Sequence, residues 1–228
     1  MLSSSFPTPA SLVHEGLLGA RAIARRVPLN AALLGWCACF VCAWLTRSRD
    51  GGVDDALNVA LGLIMPLTAY VSFEGVLDRG RLESAVRGLS RHGLHGKALW
   101  LGAAAALLGW LAMISASFAA TVVWVSRGVS SDVLLSAWIG AWGGAAYALW
   151  FSAASDVGAR GQGRKWLLLV DLTFGSTNGF LALPWPRAHV RNLLGGESWL
   201  GLQGPWAFAL LFVSGLIALA IGFRRAPE

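Results

Sequence analysis

Three cysteines are the first residues in this chain whose type and spacing could do chemistry. Cys37, Cys39 and Cys42 all lie in one apolar stretch, and the last two form a Cys-x-x-Cys pair. A membrane-embedded disulfide enzyme would need a second thiol pair to pass electrons onward, and only Cys37 remains. The sequence also offers no second cluster that would complete a zinc site. We therefore interpret the cysteines as small apolar residues of a helix.

Carboxylates within apolar stretches are the next residues that could do chemistry. Asp171 lies inside the stretch 166–183, and Glu74 lies near the end of an earlier one. An ionisable group at membrane depth is costly, which favours a functional role, although Asp171 could instead pair with a nearby Arg or Lys. A secondary transporter could couple ions through either carboxylate. It would be expected to show inverted repeats between the two halves of the chain, and none is evident. A structural subunit of a membrane complex is the other alternative.

Hydrolytic chemistry is the third possibility. An intramembrane serine protease needs a GxSG-like nucleophile and a histidine at membrane depth. The run GSTNG at 175–179 does not match, and all four histidines lie outside the apolar stretches. The chain also lacks a GxxxxGK[ST] phosphate-binding loop, so it does not hydrolyse ATP by that route. These patterns argue against an enzyme.

The composition indicates an integral membrane protein. Hydrophobic residues make up 56% of the 228 positions and charged residues only 13%, where a soluble domain has about a quarter. The net charge of +6 does not indicate nucleic-acid binding, because the cations lie in short clusters between apolar stretches. The pattern predicts an all-α polytopic membrane protein with six spans, over residues 28–46, 56–77, 98–125, 133–155, 166–183 and 205–223.

Two local features stand out within these spans. Pro66 should kink the second span or break its backbone pairing locally. Gly140 and Gly144 form a GxxxG in the fourth span, which we assign to packing within the chain in preference to a dimer face.

The segments outside the spans predict the domain organisation and the orientation. Residues 1–27 form a polar tail and an amphipathic helix that is basic on one side, typical of a helix lying in the membrane interface. Residues 28–228 form the transmembrane domain. Thirteen of the 18 Lys and Arg residues lie on the same side as the N-terminus, which the positive-inside rule assigns to the cytoplasm together with the C-terminus.

The longest polar interval between two spans runs from Glu74 to Lys97 and separates spans two and three. Helical spacing divides it into an apolar face and a charged face: Leu82, Val86 and Leu89 on the first, and Arg79, Glu83, Arg87 and Arg91 on the second. The pattern predicts a short amphipathic helix at the membrane surface with its charged face free for a partner. A solvated basic loop that only fixes topology is the alternative.

In the order of these elements the chain resembles the type-2 ABC exporter permease family. An interfacial helix precedes span one, an amphipathic helix follows span two, and short external pieces separate spans five and six. The motifs that carry the resemblance are Asp78-Arg79-Gly80-Arg81-Leu82-Glu83, then Ser90-Arg91 and Lys97, and Asn178-Gly179-Phe180 with Pro184 and Pro186. The chain departs from the family at Gly88-Leu89, where a proline is common.

The resemblance implies a permease subunit in the cytoplasmic membrane of a bacterium. It would pair with a second permease subunit, identical or different, and be driven by cytoplasmic ATPase subunits that bind ATP and Mg. Five residues of the amphipathic helix would form its coupling surface: Asp78, Arg79, Glu83, Arg87 and Arg91. The substrate pathway would lie between the two permease subunits, with five candidate residues: Pro66, Asp171, Ser176, Thr177 and Asn178.

Overall fold

The computed structural model describes residues 9–78, 80–177, 180–195 and 204–226, and the regular structure in these ranges is helical. The helices are α1 (Pro9–Ala24), α2 (Leu29–Thr46), α3 (Gly52–Val59), α4 (Met65–Leu77), α5 (Leu82–Ser90), α6 (Gly96–Arg127), α7 (Ser131–Ser155), α8 (Gly163–Phe174), α9 (Pro186–Leu193) and α10 (Gly204–Arg225). A π-helical turn, Ala60–Ile64, joins α3 to α4, and 3-10 turns lie at Ala159–Gly161 and Phe180–Ala182.

Five helical stretches are long and apolar enough to cross a membrane: α2, the run Gly52–Ser90 that contains α3 and α4, α6, α7 and α10. Their surfaces carry large apolar side chains, such as Leu34 of α2, Leu134 of α7 and Ile217 of α10, which are 72%, 77% and 52% exposed. Side chains of this kind are stable at a surface that faces lipid. The prediction of a helical membrane protein is therefore confirmed, with five of the predicted spans recognisable as long helices.

The fifth predicted span, 166–183, does not form one long helix in the part of the chain that the structure describes. Helix α8 has 12 residues and ends at Phe174, so it is about 18 Å long, against a hydrocarbon core of about 30 Å. The chain leaves α8 at Gly175, where α9 packs so closely that an added Cβ would lie 2.9 Å from the Cβ of Arg187. The six-span count stays a prediction.

Helices α6 and α7 pack against each other at the centre of the fold. An added Cβ at Gly144 would lie 2.3 Å from the Leu111 carbonyl oxygen, and one at Gly140 would lie 2.6 Å from the Ser115 carbonyl oxygen. Both glycines therefore allow close backbone approach between α7 and α6. This confirms that the GxxxG serves packing within the chain.

Helix α1 packs across the first turns of α6 through a second pair of glycines. An added Cβ at Gly102 would lie 1.7 Å from the Gly16 carbonyl oxygen, and one at Gly19 would lie 2.2 Å from that of Leu99. The apolar side chains Val13 and Leu17 point away from this contact and are 66% and 63% exposed. Helix α1 thus presents an apolar surface outward beside the ends of the long helices, as an interfacial helix requires.

The π-helical turn lies directly before Pro66, which is buried in the first turn of α4. Proline lacks a backbone N–H and its ring displaces the carbonyl four residues earlier, so the regular hydrogen-bond pattern is interrupted here. The predicted disruption of the second span at Pro66 is confirmed.

One end of the bundle, which we call the α5 end, collects the elements that surround α5. Pro28, before α2, contacts Gly75 in the last turn of α4, and Gly222 of α10 packs on the Trp100 ring. Leu82 and Val86 of α5 are fully buried. The last residues of α4, α7 and α10 therefore lie at the same end as the start of α6.

Candidate functional site

Helix α5 forms where the alternation of charged and apolar residues predicts it. Its first turn is closed by Ser84, whose Oγ accepts a hydrogen bond from the Arg81 backbone N–H at 3.0 Å and donates to the Arg81 carbonyl at 2.6 Å. Leu82 and Val86, two residues of the predicted apolar face, are fully buried, and Leu89 of the same face is half-buried and packs against the core. The helix covers Leu82–Ser90, which is shorter than the expected Asp78–Arg91.

The N-terminus of α5 is capped by another helix. Ser155, the last residue of α7, accepts a hydrogen bond at Oγ from the Leu82 backbone N–H at 3.3 Å. Asp156, the next residue, accepts one at Oδ1 from the Glu83 backbone N–H at 3.5 Å. The first N–H groups of a helix have no partner within it, so these two side chains supply acceptors that α5 lacks. The start of α5 is therefore fixed to the end of α7.

Asp156 also connects α5 to α6. Its Oδ2 accepts a hydrogen bond from Nε1 of the buried Trp100 at 3.2 Å. Burial raises the pKa of Asp156 to about 6, while its hydrogen bonds from Glu83 and Trp100 oppose that rise. The nearby Glu83 carboxylate raises the pKa further, and Arg81 lowers it.

A buried arginine holds the chain segment that precedes α5. The Arg164 side chain is fully buried at the start of α8 and bonds Glu74 of α4 from Nε and Nη2, at 3.3 and 3.1 Å. Its Nη1 donates to the Gly80 carbonyl at 2.9 Å. Arg81 in turn donates from Nη2 to the Gly158 carbonyl at 2.9 Å. We call the contacts made by Ser155, Asp156 and Arg164 the α5 anchor.

Three of the five predicted coupling residues, Glu83, Arg87 and Arg91, lie on α5 or directly at its end. Asp78 is exposed and ends α4 in a left-handed conformation, with φ of 44°. Glu83 pairs with Arg87, and their side chains are 17% and 52% exposed. Arg91 is exposed at the end of the helix. Arg79 lies outside the described residues. The exposed surface of α5 and the residues beside it carries three arginines, Arg81, Arg87 and Arg91, and is therefore cationic.

Asp171 lies in a different part of the fold, between α7, α8 and α9. It is fully buried, and Tyr147 of α7 donates a hydrogen bond to its Oδ2. The backbone N–H of Arg187, in the first turn of α9, donates to Oδ1 at 3.4 Å. Asp171 therefore bonds a tyrosine and a backbone amide; the sequence left open whether it has a functional role or pairs with a nearby Arg or Lys.

A polar cavity of about 240 Å³ lies next to this cluster. Its walls come from α3, the π-helical turn, the segment after α8, and α9 with the residue that follows it. The lining residues are the polar Asn58, Ser176, Arg187 and Arg191 and the apolar Leu61, Gly62, Val190 and Leu194. Arg187 donates from Nη1 to the Leu172 carbonyl, and Arg191 donates from Nη1 to the Ser176 carbonyl, both at 3.0 Å.

The predicted pathway residues are only partly brought together. Ser176 lines the polar cavity. Pro66 and Asp171 are buried, and Thr177 is exposed with its hydroxyl bonded to the Phe174 carbonyl. Asn178 lies outside the described residues.

Sequence reasoning missed several residues that the structure makes central. Arg164 and Arg187 were counted only as loop cations, Ser155 only as the last residue of a span and Asp156 only as the first residue of the next loop. Intramembrane pairing of a carboxylate with a cation is a signal that could have linked Glu74 to Arg164. The other contacts join residues far apart in the chain, such as Leu82 and Ser155 at a separation of 73.

No family model and no curated protein sequence matches this chain.

Proposed function

We propose that this chain is the transmembrane permease subunit of an ABC exporter. It pairs with a second permease subunit and is driven by cytoplasmic ATPase subunits that bind ATP and Mg. The observation that carries the proposal is α5, a short helix between two long apolar helices, which has a cationic outer face and whose start is fixed to α7 and α8.

The α5 anchor gives such a helix a mechanical role. A partner that moves α5 pulls on Ser155 and Asp156 at the end of α7, and on Arg164 at the start of α8. Buried hydrogen bonds and a buried ion pair transmit displacement because breaking them costs free energy. Helix α8 leads from the anchor to Asp171 and the polar cavity, so motion of α5 reaches the centre of the bundle.

In this proposal the α5 end of the bundle faces the cytoplasm, in the inner membrane of a bacterium. Both termini and α5 share that side, and the chain crosses six times. The fifth crossing is made in pieces, and α8 and α9 are its described parts. Two contacts at the α5 end support this crossing. Arg164 at the start of α8 bonds the Gly80 carbonyl, and Gly222 near the end of α10 packs on Trp100 at the same end of the bundle.

The test is co-purification of the tagged protein from the membranes of its own organism. We expect a P-loop ATPase at a stoichiometric level, identified by mass spectrometry, and ATP hydrolysis by the purified complex. The double variant Arg87→Glu and Arg91→Glu reverses the charge of the outer face without touching the anchor. We expect it to insert normally and to recover at least about tenfold less ATPase.

The matched control is Arg224→Glu with Arg225→Glu, which removes the same charge from the same side of the bundle at the exposed end of α10. Equal loss of the ATPase in both double variants would mean that general charge, not the α5 surface, is responsible. Absence of any P-loop ATPase from the wild-type preparation would overturn the exporter proposal.

A further inference from the structure

We propose that the polar cavity beside α9 binds an oxyanion, the phosphate or carboxylate headgroup of an anionic amphiphile. Two arginines of α9, Arg187 and Arg191, line it together with Asn58 and Ser176. As the identity of the exported substrate this rests on the proposed function. As a binding site it stands on the geometry of the cavity.

The hydrogen bonds that Arg187 and Arg191 make with described residues leave N–H donors of both guanidinium groups unused. A guanidinium carries five N–H donors. The side-chain contacts seen for Arg187 and Arg191 use one nitrogen of each, and both acceptors are backbone carbonyls. Asp171, which bonds the Arg187 backbone, already accepts hydrogen bonds at both carboxylate oxygens, from Tyr147 and from that backbone N–H. The charged residues among those that line the cavity are the two arginines, so the lining carries positive charge.

The position of α9 makes this charge unusual. Val190 packs against Gly143, at the middle of α7, where an added Cβ would lie 2.9 Å from the valine Cγ2. Because α7 is one of the helices long enough to cross the membrane, α9 lies at membrane depth. Placing a cationic side chain at that depth costs free energy, and such side chains occur where they bind a ligand or line a transport pathway. Guanidinium groups bind phosphate and carboxylate in a bidentate geometry that suits this role.

The π-helical turn also contributes to the wall of the cavity, and turns of this kind are frequent at functional sites. Gly62 leaves room there, since a Cβ at this position would lie 3.2 Å from Nε of Arg187. The cavity volume of about 240 Å³ is smaller than the 300–1,000 Å³ of sites that enclose a whole drug-sized ligand. The size therefore fits a headgroup whose apolar chains remain in the lipid.

The experiment uses the purified permease in a neutral detergent, with binding followed by isothermal titration. The probes are a short-chain phosphatidic acid, the diacylglycerol with the same chains, and inorganic phosphate. The variants are Arg191→Gln, Arg191→Lys and the control Arg49→Gln, which removes an exposed arginine outside the cavity. Arg191 is chosen because it does not contact Asp171, so its variants leave the buried cluster intact, and their melting temperatures verify this.

We expect phosphatidic acid to bind at least about tenfold more tightly than the diacylglycerol. Arg191→Gln should lower the affinity for phosphatidic acid by about tenfold and leave the diacylglycerol unaffected, with Arg191→Lys in between. Arg49→Gln should behave as wild type. Undiminished binding of phosphatidic acid by Arg191→Gln, or an equal loss in Arg49→Gln, would overturn the site.

Two outcomes separate the ligand from the proposed function. Binding of inorganic phosphate as tight as that of phosphatidic acid would support the oxyanion site but overturn the amphiphile as its ligand. Tight binding of phosphatidic acid by a protein that recovers no ATPase would support the site and contradict the exporter proposal alone.

Discussion

Arg164 of α8 donates hydrogen bonds from Nε and Nη2 to one carboxylate oxygen of Glu74 in α4, at 3.3 and 3.1 Å. The arginine side chain is fully buried, and that of Glu74 is 21% exposed. The third guanidinium nitrogen bonds the carbonyl of Gly80, next to α5. One side chain thus holds together the end of α4, the start of α8 and the segment that leads into α5.

Loss of this arginine should be strongly destabilising. Arg164→Met leaves the Glu74 carboxylate and the Gly80 carbonyl without their partner, and breaking a buried ion pair in this way costs about 3–5 kcal/mol. We expect a lower melting temperature in detergent for Arg164→Met and a smaller decrease for Glu74→Gln, because the glutamine oxygen still accepts a hydrogen bond. Lys165→Met is the control, since Lys165 is the exposed neighbour. Equal melting temperatures for the two Met variants would contradict the buried pair.

The packing of α1 on α6 should require glycine at position 102 of α6, whereas glycine at position 109 of the same helix should be replaceable. Gly102→Ala places a Cβ 1.7 Å from the Gly16 carbonyl oxygen, so α1 must move. We expect it to lose about 1–3 kcal/mol of stability through overpacking. An added Cβ at Gly109, seven residues further along α6, has no atom within 4 Å, so Gly109→Ala should be neutral or stabilising. The melting temperatures of both variants test this prediction. An unchanged melting temperature for Gly102→Ala would contradict the observed packing of α1 on α6.

Hydropathy predicted the long helices well because it depends only on neighbours in sequence. Helices α6, α7 and α10 begin and end within two residues of the predicted spans. The predicted fifth span extends beyond Gly175, whereas α8 ends at Phe174 and Arg187 of α9 packs closely against Gly175. Hydropathy also assigned Arg187 and Arg191 to an external loop, although α9 packs at the middle of α7. The α5 anchor could not be predicted from hydropathy, because its side-chain contacts with α5 and α4 join residues 73 to 90 positions apart in the sequence.

The folded protein should lose stability as the pH rises through the pKa of the buried Asp156. The pKa of Asp156 is raised from 3.8 to about 6, so the folded protein holds this proton more tightly than the unfolded chain does. The stability that the protonated group contributes is fully present below about pH 4 and is lost as the pH rises through about 6. Asn cannot titrate, so the melting temperature of wild type relative to Asp156→Asn should fall between about pH 4.5 and about pH 8. A constant difference over this range would show that Asp156 does not titrate as its burial requires.

The number of crossings can be measured with single cysteines. The native cysteines are unpaired and distributed over α2, with Cys37 exposed, Cys42 partly buried and Cys39 buried. Replacing all three by Ala should preserve expression and the melting temperature to within a few degrees, because no disulfide is lost. In that background a single cysteine is placed at Val129 in the α6–α7 turn, at Gln162 before α8, or at Gly204 at the start of α10. Val129 is 92% exposed, and a Cβ at Gly204 meets no atom within 4 Å.

The proposed topology makes a distinct prediction for each position. A membrane-impermeant maleimide should label Val129→Cys and Gly204→Cys in intact cells, and Gln162→Cys only after the cells are opened. The decisive comparison is between Gln162 and Gly204, because the chain between them contains no long apolar helix among its described residues. The two positions can lie on opposite sides only if α8, α9 and the segments around them together carry the chain across. Labelling of both from the same side would reduce the crossings to five and place the C-terminus outside the cytoplasm. The end of α10 could not then lie beside Trp100 and Ala153, where Gly222 packs.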